Sequence, residues 1–510
     1  MAYDDIVVGA GTCGAILAAR LSEDPGRQVL LLEAGPDYSS AATTPADLLH
    51  GQVSLVDHDW HYTAEAHASR TIHYPRGKVT GGSSAVNGTI ALRGDPDDFE
   101  EWTARGLPEW SFDEVLPWYR ALEDDPMGAA AAPELHGLGG PMPLRRVGAD
   151  RWQPFHAAFH AACVSAGYPA LDDLNGRGST GVGEFARNKV DGVRMSTALT
   201  YLAAARGRPN LTIRSGGMVD RVVVQHGRAV AVEIVDGGRR ERFDGGRVTL
   251  AAGAIGSPAI LLRSGIGSVE ALRVLGLDVV ADRPGVGAVL LDHPSAGLPA
   301  LPADGVPHDP AVVTEIGLRY TTPASTETND MQLCFTTLLD LEQMRGFMPD
   351  PMPMLMVGAV LMRPASTGSL TLASTDPSAP PRLWLNYLDD PADTARMLGA
   401  WRLGRDLLRG PDMAPFVGSL LVADDVIDDD DALTAVLREQ IATTYHPAGT
   451  APMGRVDDDR AVVDAHGRVH GIEALRVVDA AIMPTSVRSN TNLTCMMLAE
   501  RIARWMERED

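Results

Sequence analysis

The first 35 residues constrain the fold more than any other stretch. Tyr3-Asp4-Asp5-Ile6-Val7-Val8 ends in an apolar run, and Gly9-Ala10-Gly11-Thr12-Cys13-Gly14 follows at once. Ala15 to Leu21 is small, apolar and rich in helix formers, and Val29-Leu30-Leu31-Leu32 reads as a second buried strand closed by Glu33. Strand, glycine turn, helix, strand and acid in this order describe a dinucleotide-binding unit. Gly9 permits the tight turn, Gly11 lets the backbone approach a pyrophosphate, and Gly14 lets the helix pack close on the strand. The helix N-terminus offers free N–H groups and a positive dipole end to the phosphates. Glu33 stands about 20 residues after Gly14, where a carboxylate can accept from ribose hydroxyls. An acid there disfavours a 2′-phosphate, so FAD or NAD is expected rather than NADP. The chain has 52 glycines, so the glycine spacing alone could arise by chance. The flanking strand, helix and acid carry the reading.

A chain of 510 residues can bury a large core and should divide into at least two domains. A net charge of −23 argues against binding nucleic acid or an anionic membrane surface, since both are polyanions. No apolar run is long enough to span a bilayer, and no basic segment with an apolar stretch opens the chain. A cytoplasmic protein without a membrane span is therefore expected. Cys13, Cys163, Cys334 and Cys495 follow no metal or disulfide spacing and read as reduced thiols. The acidic run Asp428 to Asp431 reads as the cap of a helix beginning near Ala432, and no metal site is expected.

Nucleotide-type elements return late in the chain. Val219–Val224 and Ala229–Val235 alternate like paired strands, and Arg247–Leu250 is a third strand ending in Ala251-Ala252-Gly253-Ala254-Ile255-Gly256-Ser257-Pro258. A helix is expected over Ala259–Ser264. Near the C-terminus, Leu475 to Val478 reads as a strand ending in Asp479, and Asn490 or Thr491 caps a helix running to about Arg508. The expected fold class is α/β, α+β overall. A Rossmann-like domain is assigned to residues 1–40, 70–105, 200–290 and 441–510. Residues 41–69, 106–199 and 291–440 form a second, substrate-binding domain and cap. Strand-like runs at Met331–Thr337, Met354–Met362 and Gly368–Ala373, with a long helix over Pro391–Arg409, make that domain an antiparallel sheet covered by helices.

Five segments in register resemble the glucose–methanol–choline (GMC) flavoprotein oxidoreductases. They are the N-terminal glycine turn with Glu33-Ala34-Gly35, Gly77 to Gly88, Gly253 to Gly267, His446-Pro447-Ala448-Gly449-Thr450, and Asn490-Thr491-Asn492-Leu493-Thr494. The resemblance runs from Asp5 to Arg504. It implies FAD as cofactor, with contacts from Gly9, Gly11, Thr12, Cys13, Gly14, Glu33 and Ala34 in the first unit. Arg76, Val79, Gly81, Gly82, Ser83, Asn87, Gly88 and Thr89 would contribute from the second segment. Val219, Ala252, Gly253, Asp479, Ala480, Asn490 and Thr491 complete the implied set. Some members tether FAD through a histidine just before the asparagine equivalent to Asn87. Here Val86 holds that place, so a non-covalent cofactor is expected.

The resemblance also implies the catalytic pair. His446 would act as base over the flavin, and Asn490, where some members carry a second histidine, would donate to an alkoxide oxygen. The expected reaction is oxidation of a small-molecule alcohol to an aldehyde or ketone, with oxygen or a quinone-like acceptor reoxidising FAD. The alternative is a lyase or decarboxylase of the same fold that keeps FAD without net alcohol oxidation. Glu315 falls where choline-oxidising relatives carry a carboxylate, but Val313 and Thr314 replace their flanking aromatics, so a structural role is expected for it. Met354, Met356 and Met362 share a strand face and are expected in the core. Substrate identity and oligomeric state are not legible in the residues.

Overall fold

The computed structural model describes residues 3–51, 57–309, 312–323, 325–339 and 350–509. The rest of the 1–40, 41–69, 291–440 and 441–510 assignments lies outside the described residues.

Tyr3–Val8 and Val29–Leu32 are parallel strands, with Asp5 opposite Val29. The intervening helix is Thr12–Leu21, three residues earlier at its start than the apolar run suggested. Ile6–Val8 and Val29–Leu32 are apolar and buried at every position, as befits parallel strands inside a sheet. Leu211–Arg214 adds on one side, and on the other Arg239–Leu250 pairs parallel with Tyr3–Val8 and with Leu475–Val477. The N-terminal half of Arg239–Leu250 continues into an antiparallel meander with Arg228–Asp236 and Met218–Gln225. Segments hundreds of residues apart therefore build one seven-stranded sheet.

The last helix, Thr491–Arg508, packs on Thr12–Leu21. Arg20 forms a two-point pair with Glu500 at 2.8 Å. Cys13 Sγ donates to the Cys495 carbonyl at 3.2 Å, and all four cysteines are free thiols.

A second seven-stranded sheet is antiparallel along its main path, from Val417–Leu420 through Pro294–Pro302, Met354–Leu361, Met331–Leu338 and Thr314–Tyr320 to Gly181–Glu184. The helices Pro391–Arg409 and Pro154–Ser165 pack on it. Strand alternation divides the labour of its residues. Val357 packs on Gly404 of the long helix, and Phe335 stacks on Phe159 at 4.8 Å between ring centres. Met356 and Thr336, one residue along, face the opposite way and line a cavity.

One expectation changes. The helix foreseen over Ala259–Ser264 spans Gly253–Arg263, with Pro258 inside it. Proline removes the N–H that would bond the Ala254 carbonyl. That carbonyl instead accepts from the Thr450 hydroxyl at 2.7 Å, so the helix continues through the proline. His136 lies in a loop yet is buried between Glu123 (3.1 Å) and Asp173 (2.8 Å). The acidic run behaves as expected: Asp429 caps the Asp430–Gln440 helix by accepting from Ala432 N–H at 2.8 Å.

Candidate active site

A cavity of about 900 Å³ is lined from both large sheets. At one end lie Gly9, Gly11, Thr12, Cys13, Glu33 and Ala34. Gly9 has φ +94°, and a Cβ on it would sit 2.7 Å from the Ala251 carbonyl oxygen. Gly11 caps the first helix with no side chain over its N-terminal N–H groups, which leaves them directed at the cavity. The Gly81–Gly82 loop comes so close that a Cβ on Gly82 would lie 2.7 Å from Gly11 Cα.

Glu33 is buried, accepts from Ala10 N–H (2.9 Å) and Gly35 N–H (2.8 Å), and burial pushes its carboxyl up to about 7. Asp479, at the end of the Leu475–Val477 strand, accepts from Gly253 N–H (2.9 Å), Ser257 Oγ (2.6 Å) and Ala481 N–H (2.8 Å). Burial raises it to about 6. These groups suit a dinucleotide: a bare helix N-terminus for phosphate and a carboxylate for ribose.

Arg76, Gly82, Ser83, Asn87, Gly88, Thr89, Val219, Ala252, Gly253, Ala480, Asn490 and Thr491 also line the cavity, as does Val86. Three expected contacts do not. Gly14 sits behind the turn, where a Cβ would fall 1.8 Å from the Gly9 carbonyl oxygen. Gly81 supplies a left-handed turn at φ +97°. Val79 is buried in a small cluster with Leu48, Ala85 and Val86. All three shape the walls without facing the space.

His446 and Asn490 meet on the far wall. Asn490 Nδ2 donates to His446 Nε2 at 3.1 Å, and its side chain makes no cap bond to the helix it opens. Asn490 is the N-cap residue as expected, but its side chain serves His446 rather than the helix N–H groups. The other ring nitrogen settles the tautomer. Thr444 Oγ1 donates to the His293 carbonyl at 2.9 Å and so can accept from His446 Nδ1–H at 3.0 Å. His293 Nδ1 accepts there too, at 2.9 Å, while His293 Nε2–H donates to Ser486 Oγ at 2.7 Å. His446 Nε2 therefore presents its lone pair to the cavity. The ring is half-buried because it faces that enclosed space rather than bulk water. Burial, with His293 and Arg76 adding, holds it well below the usual imidazole range. Burial likewise lowers His293 to about 4.

The support beneath this pair went unseen in the sequence. Asp292 Oδ1 accepts from the backbone N–H of His293 (2.8 Å) and of His446 (2.9 Å). Its Oδ2 accepts from Tyr74, Tyr387 and Thr443 hydroxyls, each at 2.6 Å. One buried carboxylate thus ties Tyr74, Tyr387 and the Asp292–His293 segment to the Thr443–His446 segment. Arg76 Nη1 adds a bond to the Tyr445 carbonyl at 2.8 Å, and Tyr445 itself adopts φ +67°. The available cue was an Asp-His pair set between Leu290-Leu291 and Pro294, an apolar setting for two ionisable residues.

Beyond His446 the cavity is bounded by Ile90, Val313, Thr314, Gln332, Cys334, Thr336, Met356, Val360 and Met362. Met356 and Met362 are corrected here from core to cavity wall, while Met354 does not line it. Their strand has cavity on one face and helices on the other. Glu315 points to the helix face, 4.0 Å from His156 Nδ1, and does not line the cavity. Burial pushes it up to about 7.

Comparison with known proteins follows the same geometry. Residues 3–295 and 364–499 match the N- and C-terminal family models described as GMC oxidoreductase. An uncharacterised GMC-type oxidoreductase of Rhodococcus erythropolis is 36% identical over 98% of this chain and 97% of its own. An oxygen-dependent choline dehydrogenase of Stenotrophomonas maltophilia is 36% identical over 98% and 94%. The crystal structure of pyridoxine 4-oxidase from Mesorbium loti superposes with a TM-score of 0.89, at 30% identity and 99% coverage of both chains.

Proposed function

The chain belongs to the GMC oxidoreductase family, and from that premise we propose that it binds FAD without a covalent tether and oxidises a neutral, largely apolar alcohol to an aldehyde or ketone. In this reading residues 1–40, 70–105, 200–290 and 441–510 serve the cofactor, and 41–69, 106–199 and 291–440 the substrate. FAD, when bound, supplies a hydride acceptor, and oxygen or a quinone-like compound takes the electrons on.

The carrying observation is the fixed tautomer of His446. With Nδ1–H held by Thr444 and His293, Nε2 keeps its lone pair, which accepts from Asn490 Nδ2, and an alcohol oxygen placed between the two side chains would give its proton to Nε2. Asn490 Nδ2 can donate to the same oxygen as negative charge develops on it. Asn490 carries no titratable proton, so the pair has one base. Asp292 positions the His446 backbone, and Thr444 and His293 orient its ring.

The substrate class is supported by the lining. Among the described residues the only carboxylates on the cavity wall are Glu33 and Asp479, both at the cofactor end. A trimethylammonium group would find no carboxylate beside His446, which favours an uncharged alcohol over choline.

The test is stopped-flow flavin reduction without oxygen, across pH, for wild type and two variants. His446→Ala should keep FAD and cut the rate by at least about 10²-fold. The wild-type rate should stay level through neutrality and fall only well below pH 6.5, because burial keeps the ring neutral to low pH. Asn490→Ala should slow reduction while retaining that pH profile. An unchanged rate in His446→Ala would refute the assignment.

A further inference from the structure

At the rim of the cavity, three side chains unrelated to the alcohol chemistry converge. Asp59 lies just before the Thr63–His67 strand, His61 stands between them, and His73 ends the neighbouring Arg70–His73 strand. The sheet brings His73 opposite Thr63, which places its ring beside the Asp59–His61 turn. Asp59 Oδ2 is 2.8 Å from His73 Nε2 and 3.4 Å from His61 Nδ1. The three candidate donor atoms all lie within 4.8 Å of one another. Two donors on one tetrahedral metal ion, each about 2.0–2.1 Å from it, stand about 3.3 Å apart, close to the two Asp59–imidazole distances.

We propose that Asp59, His61 and His73 bind a first-row divalent metal ion of the Zn²⁺ type, with water completing the coordination. Four observations support the assignment. The Asp59 side chain is 3% exposed, and its Oδ2 faces the two imidazole nitrogens at 2.8 and 3.4 Å without a well-directed hydrogen bond from either. A buried carboxylate oxygen without a well-directed donor is costly, and a cation held between it and the two rings would satisfy it. Its companion Oδ1 already accepts from Arg76 N–H at 2.7 Å, which fixes the orientation of the group.

Both imidazoles are open to solvent, at 69% and 47%, so an ion and its waters can enter. The rings lie nearly parallel, 6.3 Å apart at their centres, an arrangement that two protonated rings would oppose by repulsion. The other comparable group in the described residues, Glu123, Asp125 and His136, is different in kind. Arg93 and Arg146 already supply its positive charge, and it is sealed from solvent.

Two imidazole nitrogens and one carboxylate oxygen suit zinc and its neighbours rather than Mg²⁺ or Ca²⁺, which prefer all-oxygen sets. His61 also lines the cavity, and Asp59 is bonded through Arg76 to the Tyr445 carbonyl. An ion here would brace the rim next to the His446 segment without touching the reacting atoms.

The experiment uses tag-free holoenzyme, cleared of metal by chelator and titrated calorimetrically with Zn²⁺ at about pH 7.5. One equivalent should bind. His73→Ala should lower the affinity at least about tenfold while keeping the flavin spectrum and melting temperature of the metal-free wild type, and His61→Ala should lower the affinity to a similar degree. Binding should weaken in acid, where protons compete with the metal for its ligands. Mg²⁺ should give no saturable heat. Failure of the wild type to bind one equivalent, or undiminished binding by folded His73→Ala, overturns the site. Neither result bears on His446.

Discussion

Glu33 is the residue whose chemistry is most changed by its surroundings. Burial pushes its carboxyl up to about 7, against the pull of the Gly35 and Ala10 N–H groups. Ribose hydroxyls donate far more strongly to the ionised form, so cofactor binding favours loss of the proton whenever the pH is below that value. FAD affinity should therefore tighten as pH rises toward about 7 and level off above it. Glu33→Gln should remove the pH dependence and weaken binding by about 1.5–3 kcal/mol on the plateau. Fluorescence titration of apoprotein with FAD measures both, and an unaltered profile in the variant would exclude Glu33 as the ribose acceptor. Val86 carries a simpler expectation. It lines the cavity and has no nucleophile, so acid precipitation should release all the flavin into the supernatant, and yellow pellets would show a tether elsewhere.

At the scale of elements, close backbone approach does the positioning. The Thr12–Leu21 helix can start where it does because Gly14 has no Cβ, which would otherwise lie 1.8 Å from the Gly9 carbonyl oxygen. Gly14→Ala must push the helix N-terminus off the turn. The expected cost is about 1–3 kcal/mol, with weaker FAD retention although residue 14 never faces the cavity. Denaturant titration of apoprotein and a dilution assay for flavin loss separate the two effects. Wild-type stability in this variant would mean that the turn is more compliant than its geometry implies. The Gly253–Arg263 helix shows the converse case. Pro258 should have broken it, and Thr450, almost two hundred residues away, supplies the bond that the proline leaves unmade.

On the scale of the whole molecule, the cavity is a seam between two sheets of different construction. One contributes strand ends and helix N-termini, the other one face of an antiparallel sheet. A ligand filling this seam is in contact with both sheets, so its binding energy adds to the stability of both. FAD at about 100 times its dissociation constant should add about 2.7 kcal/mol to stability. Flavin release and loss of secondary structure should then coincide in one thermal transition. Early flavin release well below global melting would show that the seam opens before either sheet unfolds. Asp292 belongs to this scale too: its five donors come from segments spread between Tyr74 and His446.

Local sequence determined the parts whose physics is local. Val29–Leu32 and Pro391–Arg409 match their apolar runs residue for residue, and Asp429 caps its helix as the acidic run predicts. Gly9, Gly11 and Glu33 were legible because a turn, a close approach and a strand-end acid each leave a mark in a few neighbouring residues. His446 and Asn490 stood out only through five segments in register, since a lone histidine beside a proline says little. What the tertiary structure decided is everything that depends on facing. Met356 reads as core until its strand has helices on one side and cavity on the other. Glu315 falls where choline-oxidising relatives carry a carboxylate, and only the same alternation shows that it turns toward His156, in keeping with the structural role expected for it. His293 fixes the tautomer of the proposed base from 153 positions away, and Asp59, His61 and His73 become a cluster only when two strands pair. Chain neighbours carry periodicity and capping. Hydrogen bonds and charge across long separations arise only once the sheets have closed around them.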